Sequence, residues 1–327
     1  MKVVHVVESL AVGGLEQVVI SLAAWQRAQG IESTIVCLFH EGALAAGARA
    51  RGVEVAVIGK ASGLDVRALF MLRSSLRRLA PDVLHTHNAV AHYYAVAAAA
   101  GLGIARTVNT RHGMGSRAGG RRLELLYRAA LRRTDAAVAV CYAARDRFVR
   151  AGTVPAAKTF VVANGVDLGA IAVRCTAARE ALLAQLALAP ATVVLGIVGR
   201  LNPVKDHATL LRALQQVRQK ELPVALVVVG DGPTRAALEA QAGSLGLGGA
   251  VRFLGMRGDV GQLLAAFDLF VLSSTTEGYS LALVEAAAAG LPIVATRVGG
   301  NADIVSDRIS GLLVPAREGV LRGPRLK

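Results

Sequence analysis

The sequence predicts an α/β protein of two doubly wound domains, each built on a parallel β-sheet. Short apolar runs alternate with segments of helical periodicity along the whole chain. The runs are apolar at consecutive positions, as expected of strands that helices cover on both faces. Repeated strand–helix units imply parallel strands joined by right-handed crossovers. The length of 327 residues suits two domains of roughly 150 residues each.

The predicted strands form two series that meet at a boundary near residue 168. The first domain, residues 1–168, contains seven predicted strands: Val3–Val7, Thr34–Phe39, Val53–Ile58, Asp82–Thr86, Arg106–Asn109, Ala136–Val140 and Phe160–Val162. The second domain, residues 169–327, contains five: Val193–Val198, Ala225–Val229, Val251–Leu254, Leu269–Leu272 and Ile293–Ala295. Open parallel sheets bind ligands at the carboxyl ends of their strands, so residues that follow a strand are the first candidates.

The composition excludes several classes of protein. Hydrophobic residues make up 54% of the chain and charged residues 18%, which excludes a disordered chain. Cys37, Cys141 and Cys175 are too few and too scattered for a disulfide framework or a zinc site, which favours the reducing cytoplasm. The start of the chain does not have the pattern of a signal peptide, and the apolar stretch Ala89–Ala100 is too short to span a bilayer.

The first domain is strongly basic. The formal net charge of the chain is +14, and between Arg106 and Arg150 there are 11 arginines against three acidic residues. Such a patch suits nucleic acid, an anionic membrane surface or a phosphorylated substrate, and an arginine-rich solvated surface explains it equally well. Nucleic-acid binding would explain only the basic charge and no other feature of the sequence. The chain has no binding motif, and its aromatic residues, which would stack on bases, are only 4% of the total.

The segment Arg117–Arg133 is predicted to form an amphipathic basic helix. Apolar residues follow helical spacing at five positions: Leu123, Leu126, Tyr127, Ala130 and Leu131. Basic residues lie on the opposite side: Arg121, Arg128 and Arg132. The helix either covers the sheet, or it makes a peripheral contact with the anionic inner face of the membrane or with a phosphorylated acceptor.

Two segments that follow predicted strands can bind an anion. Gly13 and Gly14 precede the first helix, where glycine allows a ligand to approach closely and the helix N-terminus favours negative charge. Arg200 and Lys205 flank a proline turn in the second domain, and their charges suit a diphosphate. A tight turn and ordinary surface charge are the structural alternatives. Gly230–Pro233 lacks the third glycine of a dinucleotide fingerprint and is predicted to be a structural turn.

The most informative segment is Glu277–Glu285, which follows a predicted strand and opens a helix. Glu277 precedes the helix. Glu285 lies within it among leucine, valine and alanine, where a carboxylate is rare unless it has a partner. The N–H groups from Tyr279 to Leu281 would point from the helix start towards an anion. The segment therefore offers phosphate donors and two acceptors for sugar hydroxyls; an ordinary helix-start carboxylate is the alternative.

His112 follows a predicted strand and precedes a glycine, which makes it a candidate catalytic residue, although a lone histidine is more often structural. His85 and His87 alternate on one strand and share a face. No acidic or cysteine partner lies at ligand spacing, so no metal site is predicted. Four other histidines have no predicted role: His5, His40, His92 and His207.

Taken in order, these motifs resemble the retaining glycosyltransferases of family 4, also called glycosyl transferases group 1. The most specific motif is the pair Glu277 and Glu285, separated by seven residues. Further segments are similar to the family: Gly13–Glu16, Asn164–Asp167, the turn with Arg200 and Lys205, Ala289–Thr296 and Gly311–Pro315. The resemblance extends from Met1 to about Pro315.

The resemblance implies a GT-B fold, in which two Rossmann-like domains face each other across a cleft. It implies that the N-terminal domain receives the acceptor and the C-terminal domain a UDP- or GDP-sugar. Four residues take implied catalytic roles: His112, Arg200, Lys205 and Glu277. Donor binding falls on a second set: Gly13, Gly14, Gly255, Met256, Arg257, Tyr279, Ser280, Leu281 and Glu285. No cofactor and no divalent metal are implied.

The resemblance implies a separate role for each part of the donor. Arg200 and Lys205 hold the diphosphate, Glu285 accepts hydrogen bonds from the ribose, and Glu277 accepts them from the transferred sugar. The main chain of Gly255–Arg257 faces the base, and His112 lies over the sugar near the reacting carbon.

The implied reaction moves a hexose to a sugar, lipid-linked or polysaccharide acceptor, with retention of anomeric configuration, in the synthesis of exopolysaccharide or glycolipid. The alternatives are a nucleotide-sugar 2-epimerase on the same fold and a donor-binding protein without turnover. Family members usually continue beyond the Gly311–Pro315 motif with further helices, the last of which crosses back to the N-terminal domain. A shortened C-terminus and reduced activity are therefore expected.

Overall fold

A computed structural model describes residues 1–115 and 120–316, without the side chains of residues 120–122. The chain divides into two compact units, Met1–Asn164 and Gly165–Lys327. The expected shortened C-terminal tail, residues 317–327, lies outside the described residues, as do residues 117–119 of the predicted basic helix. In the described part of the chain, no helix has the length and apolar character needed to cross a membrane.

The first unit is built on one seven-stranded parallel sheet. Its strands are β1 Lys2–Val7, β2 Glu32–Cys37, β3 Glu54–Val57, β4 Val83–His87, β5 Arg106–Arg111, β6 Ala136–Ala139 and β7 Thr159–Val161. Their spatial order is β3-β2-β1-β4-β5-β6-β7, so the order reverses at β1. The helices are α1 Gly14–Ala28, α2 Ala45–Ala50, α3 Val66–Leu79, α4 Ala89–Ala99, α5 Gly120–Leu131 and α6 Tyr142–Arg150.

The second unit repeats this plan on a six-stranded parallel sheet. Its strands are β8 Val193–Val198, β9 Val224–Val229, β10 Val251–Gly255, β11 Leu269–Leu272, β12 Ile293–Thr296 and β13 Leu312–Val314. Their order is β10-β9-β8-β11-β12-β13, which reverses at β8. The helices are α7 Thr176–Gln185, α8 His207–Arg218, α9 Arg235–Ser244, α10 Val260–Leu264, α11 Leu281–Ala288 and α12 Asn301–Ile304.

Both sheets are buried on both faces, which explains the unbroken apolar runs of the sequence. All six residues of β9 are buried. Leu226 and Val228 belong to one hydrophobic cluster, whereas Val227 and Val229 belong to another, because successive side chains of a strand point to opposite faces. In β1, Val4 and Val7 likewise lie in different clusters. The predicted fold class is therefore confirmed.

All twelve predicted strands are present, with ends displaced by at most two residues. The thirteenth, β13, was not predicted because it is only three residues long and lies at the edge of its sheet. Burial divides the predicted apolar stripe of α5 into two parts. Tyr127, Ala130 and Leu131 are buried, whereas Leu123 and Leu126 are exposed, so the apolar stripe is buried only in the second half of the helix.

Candidate functional site

The carboxyl end of β8 leads into a turn that fixes the position of Lys205. The side chain of Asn202 accepts a hydrogen bond from the backbone N–H of Lys205 at 3.2 Å. Asp206 follows in the left-handed region, with φ of +47°, and its side chain caps α8 by accepting from the N–H of Thr209. These two caps satisfy N–H groups that a helix start leaves without partners. Lys205 is therefore held half-buried at the end of the strand.

Lys205 forms an ion pair with Glu277, which lies in the segment after β11. The Nζ atom of Lys205 donates to Oε1 of Glu277 at 2.6 Å, and the side chains are 19% and 11% exposed. The hydroxyl of Ser274 donates to the same carboxylate oxygen. The hydroxyl of Ser273 donates to the carbonyl oxygen of Lys205 at 2.8 Å. The structure thus joins two charged residues that are 72 positions apart in the sequence.

The backbone around Glu277 packs against a glycine pair that the sequence analysis did not include in the site. A Cβ atom at Gly299 would lie 1.7 Å from the carbonyl oxygen of Glu277, and the φ of Gly299 is +50°. Only glycine fits such a position. The N–H of Gly300 donates to the carbonyl oxygen of Gly278 at 2.9 Å. The sequence signal that could have found this pair is two adjacent glycines in the loop after the predicted strand Ile293–Ala295.

Helix α11 begins with a side-chain cap and carries a carboxylate without a partner. The hydroxyl of Ser280 accepts from the N–H of Leu283. Glu285 is half-buried, and within the residues that the structure describes its carboxylate has no hydrogen bond or ion pair. Burial raises the pKa of Glu285 above its usual value. The arrangement therefore contains an unused hydrogen-bond acceptor one helical turn beyond the cap.

The other predicted residues of the second unit also follow strands. Arg200 is exposed directly after β8, and Tyr279 is half-buried just before α11. Gly255 ends β10 with φ of +68° and accepts a hydrogen bond from the N–H of Gly230. Met256 is 67% exposed. The Arg257 side chain pairs with Asp259 through two hydrogen bonds, of 2.8 and 2.6 Å.

The glycines of the turn at Gly230–Pro233 are required by backbone packing, which agrees with the predicted structural turn. A Cβ atom at Gly230 would lie 2.1 Å from the carbonyl oxygen of Gly199. A Cβ atom at Gly232 would lie 2.3 Å from the carbonyl oxygen of Leu201. The N–H of Leu201 donates to the carbonyl oxygen of Asp231 at 2.9 Å. The turns after β8 and β9 are thus in direct backbone contact, which glycine alone permits.

In the first unit, the predicted glycine pair lies at the start of α1. Gly13 is the N-cap residue in an extended conformation, and Gly14 is the first residue of the helix. Gly14 is exposed and Gly13 is half-buried. A glycine cap has no side-chain oxygen, so the first N–H groups of α1 have no such partner at this position. The pair lies between the first strand and the first helix, as predicted.

His112 lies directly after β5 and belongs to a group of histidines that the sequence did not reveal. His5 and His85 are register partners on the neighbouring strands β1 and β4. The Nδ1 atom of His5 lies 3.1 Å from Nε2 of His87, and Nδ1 of His87 lies 2.9 Å from Nε2 of His112. The backbone N–H of His112 donates to Oδ1 of Asn88 at 3.2 Å.

These histidines are neutral at neutral pH. Burial lowers the pKa of His5 and of His112 to about 4, and it lowers the pKa values of His85 and His87 well below the usual 6.5. In the described residues, ligand nitrogens of His5, His85 and His87 lie within 4.8 Å of one another, an arrangement able to hold a metal ion. Sequence spacing hides it, because His5 and His85 are neighbours through strand pairing. The absence of a metal stays a prediction.

Two doubly wound parallel-sheet units, with glycine turns and charged residues at the carboxyl ends of their strands, define the class of GT-B glycosyltransferases with two Rossmann-like domains. Residues 12–170 match the model of Glycosyltransferase Family 4. Residues 192–320 match the model of glycosyl transferases group 1. The chain belongs to this family of glycosyltransferases.

The chain is similar in sequence to several named glycosyltransferases. EpsF of Bacillus subtilis, described as a candidate glycosyltransferase, is 28% identical over 305 residues, which are 90% of this chain and 78% of EpsF. The Escherichia coli UDP-Gal:α-D-GlcNAc-diphosphoundecaprenol α-1,3-galactosyltransferase is 28% identical over 260 residues, which are 76% of this chain and 66% of that enzyme. The D-inositol 3-phosphate glycosyltransferase of Actinosynnema mirum is 36% identical over 170 residues, and the chain spans only 40% of its length.

Among solved structures, HepE of Anabaena has been crystallised with UDP-glucose. It superposes with a TM-score of 0.85 at 26% sequence identity, and the alignment covers 97% of this chain and 86% of HepE.

Proposed function

We propose that this protein transfers a hexose from a nucleoside diphosphate sugar to a hydroxyl group, with retention of anomeric configuration. The observation that carries the proposal is the half-buried Lys205–Glu277 pair at 2.6 Å, next to the capped start of α11 and to Glu285, whose carboxylate has no partner among the described residues. A cation, helix N–H groups and two carboxylates meet the needs of a diphosphate and of sugar hydroxyls. The similarity to HepE, crystallised with UDP-glucose, supports a UDP-sugar as the first donor to test.

The proposed reaction depends on charge stabilisation. When the anomeric C–O bond breaks, negative charge develops on the departing diphosphate and positive charge on the sugar. Arg200, Lys205 and the N–H groups at the start of α11 stabilise the diphosphate. The acceptor hydroxyl attacks the same face of the sugar that the leaving group departs from, and a phosphate oxygen takes its proton. Loss of one cation then raises the barrier by about 3 kcal/mol, or about a hundredfold in rate.

The remaining site residues bind and orient the donor. Glu277 holds the ammonium of Lys205 and accepts hydrogen bonds from hydroxyls of the transferred sugar. Glu285, whose carboxylate has no partner within the described residues, accepts hydrogen bonds from the ribose. We assign His112 to the transferred sugar near its reacting carbon, as the family resemblance implies. Gly255, Met256 and Arg257 are assigned to the base, and Gly13 and Gly14 to the donor phosphates or sugar.

The deciding experiment measures donor binding by calorimetry and release of nucleoside diphosphate, over a panel of UDP- and GDP-sugars. The wild type is compared with Glu285→Ala and Lys205→Ala. Matched controls are Glu180→Ala and Lys220→Ala, at exposed positions of the same unit. We expect one donor to bind, at least tenfold weaker binding in both site variants, and no change in the controls. Equal binding by site variants and controls would contradict the proposed site.

The same panel separates the alternatives. A transferase releases free nucleoside diphosphate and forms a glycosylated acceptor. An epimerase converts the nucleotide sugar in the absence of any acceptor, and a binding protein shows affinity without a product. Transfer with inversion, determined from the product by NMR, would overturn the proposal of retention.

We also propose that the acceptor is a sugar, lipid-linked or polysaccharide molecule of a cell-surface pathway, met at the inner face of an anionic membrane. The surface of α5 supports this proposal. Leu123, Leu125 and Leu126 are 38%, 65% and 42% exposed. Arg128 is exposed on the same helix, and Arg132 is exposed directly after its end. Exposed leucines beside arginines are typical of helices that lie on anionic lipid.

A further inference from the structure

A continuous chain of side-chain hydrogen bonds links helix α1 to His112. Oε1 of Gln26 lies 2.8 Å from Nε2 of His5. Nδ1 of His5 lies 3.1 Å from Nε2 of His87, and Nδ1 of His87 lies 2.9 Å from Nε2 of His112. Four side chains from α1, β1, β4 and the end of β5 are therefore connected by three contacts. The last ring nitrogen, Nδ1 of His112, is buried and has no partner among the described residues.

The oxygen at the start of this chain fixes its direction. A neutral imidazole has one N–H donor and one lone pair. Oε1 of Gln26 accepts from the hydroxyl of Ser33 and offers no proton, so Nε2 of His5 carries the hydrogen. Nδ1 of His5 is then an acceptor, which requires a hydrogen on Nε2 of His87. By the same step, Nε2 of His112 carries a hydrogen and its Nδ1 does not.

We propose that Gln26, His5 and His87 are positioning residues that hold His112 in its Nε2–H tautomer, so that its buried Nδ1 atom keeps a lone pair that can accept. The proposal rests on the proposed function at one point, the assignment of His112 to the transferred sugar. It adds a role for three residues that the sequence analysis left without one or did not consider.

The contacts of His5, His85 and His87 fit a hydrogen-bond chain better than a metal centre. Both ring nitrogens of His5 and both of His87 are engaged in the chain, and Nε2 of His85 lies 2.8 Å from Oγ1 of Thr110. Five of the six ring nitrogens thus have hydrogen-bond partners already. A bound ion would have to displace one hydrogen-bond partner of His5 and one of His87, and either loss breaks the connection from Gln26 to His112.

The tautomer matters because positive charge develops on the sugar as its anomeric bond breaks. A lone pair on Nδ1 is the negative end of the local dipole, and it stabilises that charge. An N–H group at the same position would oppose it. The effect is present in the transition state and nearly absent in the ground state, so it acts on kcat more than on KM. Burial keeps the rings neutral, which prevents a positive charge from replacing the lone pair.

The test combines NMR of the free protein with kinetics. Long-range ¹H–¹⁵N correlations of ¹⁵N-histidine-labelled protein distinguish the protonated ring nitrogen, and loss of one spin system in His112→Asn assigns His112. We expect protonated Nε2 and unprotonated Nδ1 in the wild type. Gln26→Met removes the first acceptor three hydrogen bonds away, and we expect a mixture of tautomers at His112. The control is Gln29→Met, an exposed position next to the same helix.

The kinetic expectation is a fall in kcat of roughly tenfold in Gln26→Met, with donor KM changed less than about twofold. If that variant does not fold, Ser33→Ala, which removes the hydroxyl that fixes the Gln26 oxygen, should produce a smaller shift in the same direction. A protonated Nδ1 in wild-type His112 would overturn the proposal. So would His112 resonances that are the same in the wild type and in both variants. Protein with the expected tautomer but without transferase activity on any donor would overturn the proposed function instead.

Discussion

At the scale of single residues, the fold and the candidate site make opposite demands on Glu285. Its carboxylate is half-buried on α11 without a partner among the described residues, and burial raises its pKa. The ionised form is therefore less favourable in the folded protein than in the unfolded chain. A residue that destabilises the fold at neutral pH and is suited to ribose hydroxyls has the properties expected of a binding residue.

Replacing Glu285 by glutamine should therefore separate stability from binding. We expect Glu285→Gln to raise the free energy of unfolding at pH 7, because the desolvated charge is gone. The gain should shrink as pH falls through the raised pKa, where the wild-type carboxyl is neutral as well. Nucleotide affinity should fall at least tenfold. Urea unfolding at two pH values tests the stability change, and calorimetry tests the nucleotide affinity, with exposed Glu180→Gln as the control. A Glu285→Gln variant that is less stable than the wild type at pH 7 would contradict this account.

The Lys205–Glu277 pair should show energetic coupling. A double-mutant cycle with Lys205→Met and Glu277→Gln, followed by urea unfolding, should give a coupling free energy of about 1 kcal/mol or more, because the pair is largely removed from water. The exposed pair Lys2–Glu32, at 3.6 Å, is the matched control and should give a value near zero. Equal coupling in the two pairs would mean that burial does not strengthen the pair near the site.

The sequence revealed individual residues of the site far better than their contacts. Lys205 and Glu277 were predicted from charge at strand ends and from the family motif, but the 2.6 Å contact between them depends on how the segments after β8 and β11 pack. The chain through His5 and His87 was missed for a similar reason. Strand pairing joins residues that are 82 positions apart, and no spacing rule within one strand detects such a neighbour.

At the scale of elements, strands were predictable because both sheets are covered on both faces. Continuous apolar runs therefore marked twelve of the thirteen strands, and the short edge strand β13 gave too weak a pattern. Helix α5 was less predictable. Helical spacing identified its apolar stripe, but how far the neighbouring layer reaches along that stripe is a tertiary property. This is why Leu123 and Leu126 remain exposed.

Strand β8 depends on a glycine that allows an aromatic ring to pack against its backbone. A Cβ atom at Gly196 would lie 2.0 Å from the ring of Phe267, which is fully buried. Gly196→Ala should lower the free energy of unfolding by about 3 kcal/mol through overpacking. Gly248→Ala, where an added Cβ meets no atom within 4 Å, should change it by less than about 0.5 kcal/mol. Urea unfolding compares the two, and similar losses would refute the packing argument.

Helix α5 should contribute to membrane binding if the proposed inner-face location is right. We expect the wild type to sediment with vesicles rich in anionic lipid. Leu125→Ser should weaken this association about tenfold, since a 65% exposed leucine loses its apolar contact with lipid. Leu168→Ser, at a 70% exposed leucine of the second unit, is the control and should have no effect. Association that is independent of Leu125 would exclude this surface of α5.

At the scale of the whole molecule, buried neutral histidines are unevenly distributed. Burial lowers the pKa of five histidines in the first unit: His5, His85, His87, His92 and His112. In the second unit it lowers the pKa of His207 alone among the described residues. Below pH 6.5 the unfolded chain binds protons that the folded unit excludes until about pH 4, so stability is retained above pH 6.5 and lost as pH falls through this window.

The first unit should therefore be the acid-sensitive one. For a histidine such as His5, with a pKa of about 4 in the folded state, the loss between pH 7 and pH 5 is about 2 kcal/mol. Trp25, the single tryptophan, lies in α1 and reports on this unit. We expect its fluorescence midpoint in urea to fall more between pH 7 and pH 5 than the midpoint measured by circular dichroism. Coincident shifts of both midpoints would argue against separate behaviour of the units.

The backbone contact between the turns after β8 and β9 also limits which substitutions this site can accept during evolution. Gly230 and Gly232 touch the carbonyl oxygens of Gly199 and Leu201, so neither loop can be remodelled while the other stays as it is. In a library of single substitutions, these two glycines should stand out as intolerant positions within a variable loop. New donor preferences would then arise more easily from side chains that leave both turns intact, such as exposed Met256, than from altered loop lengths.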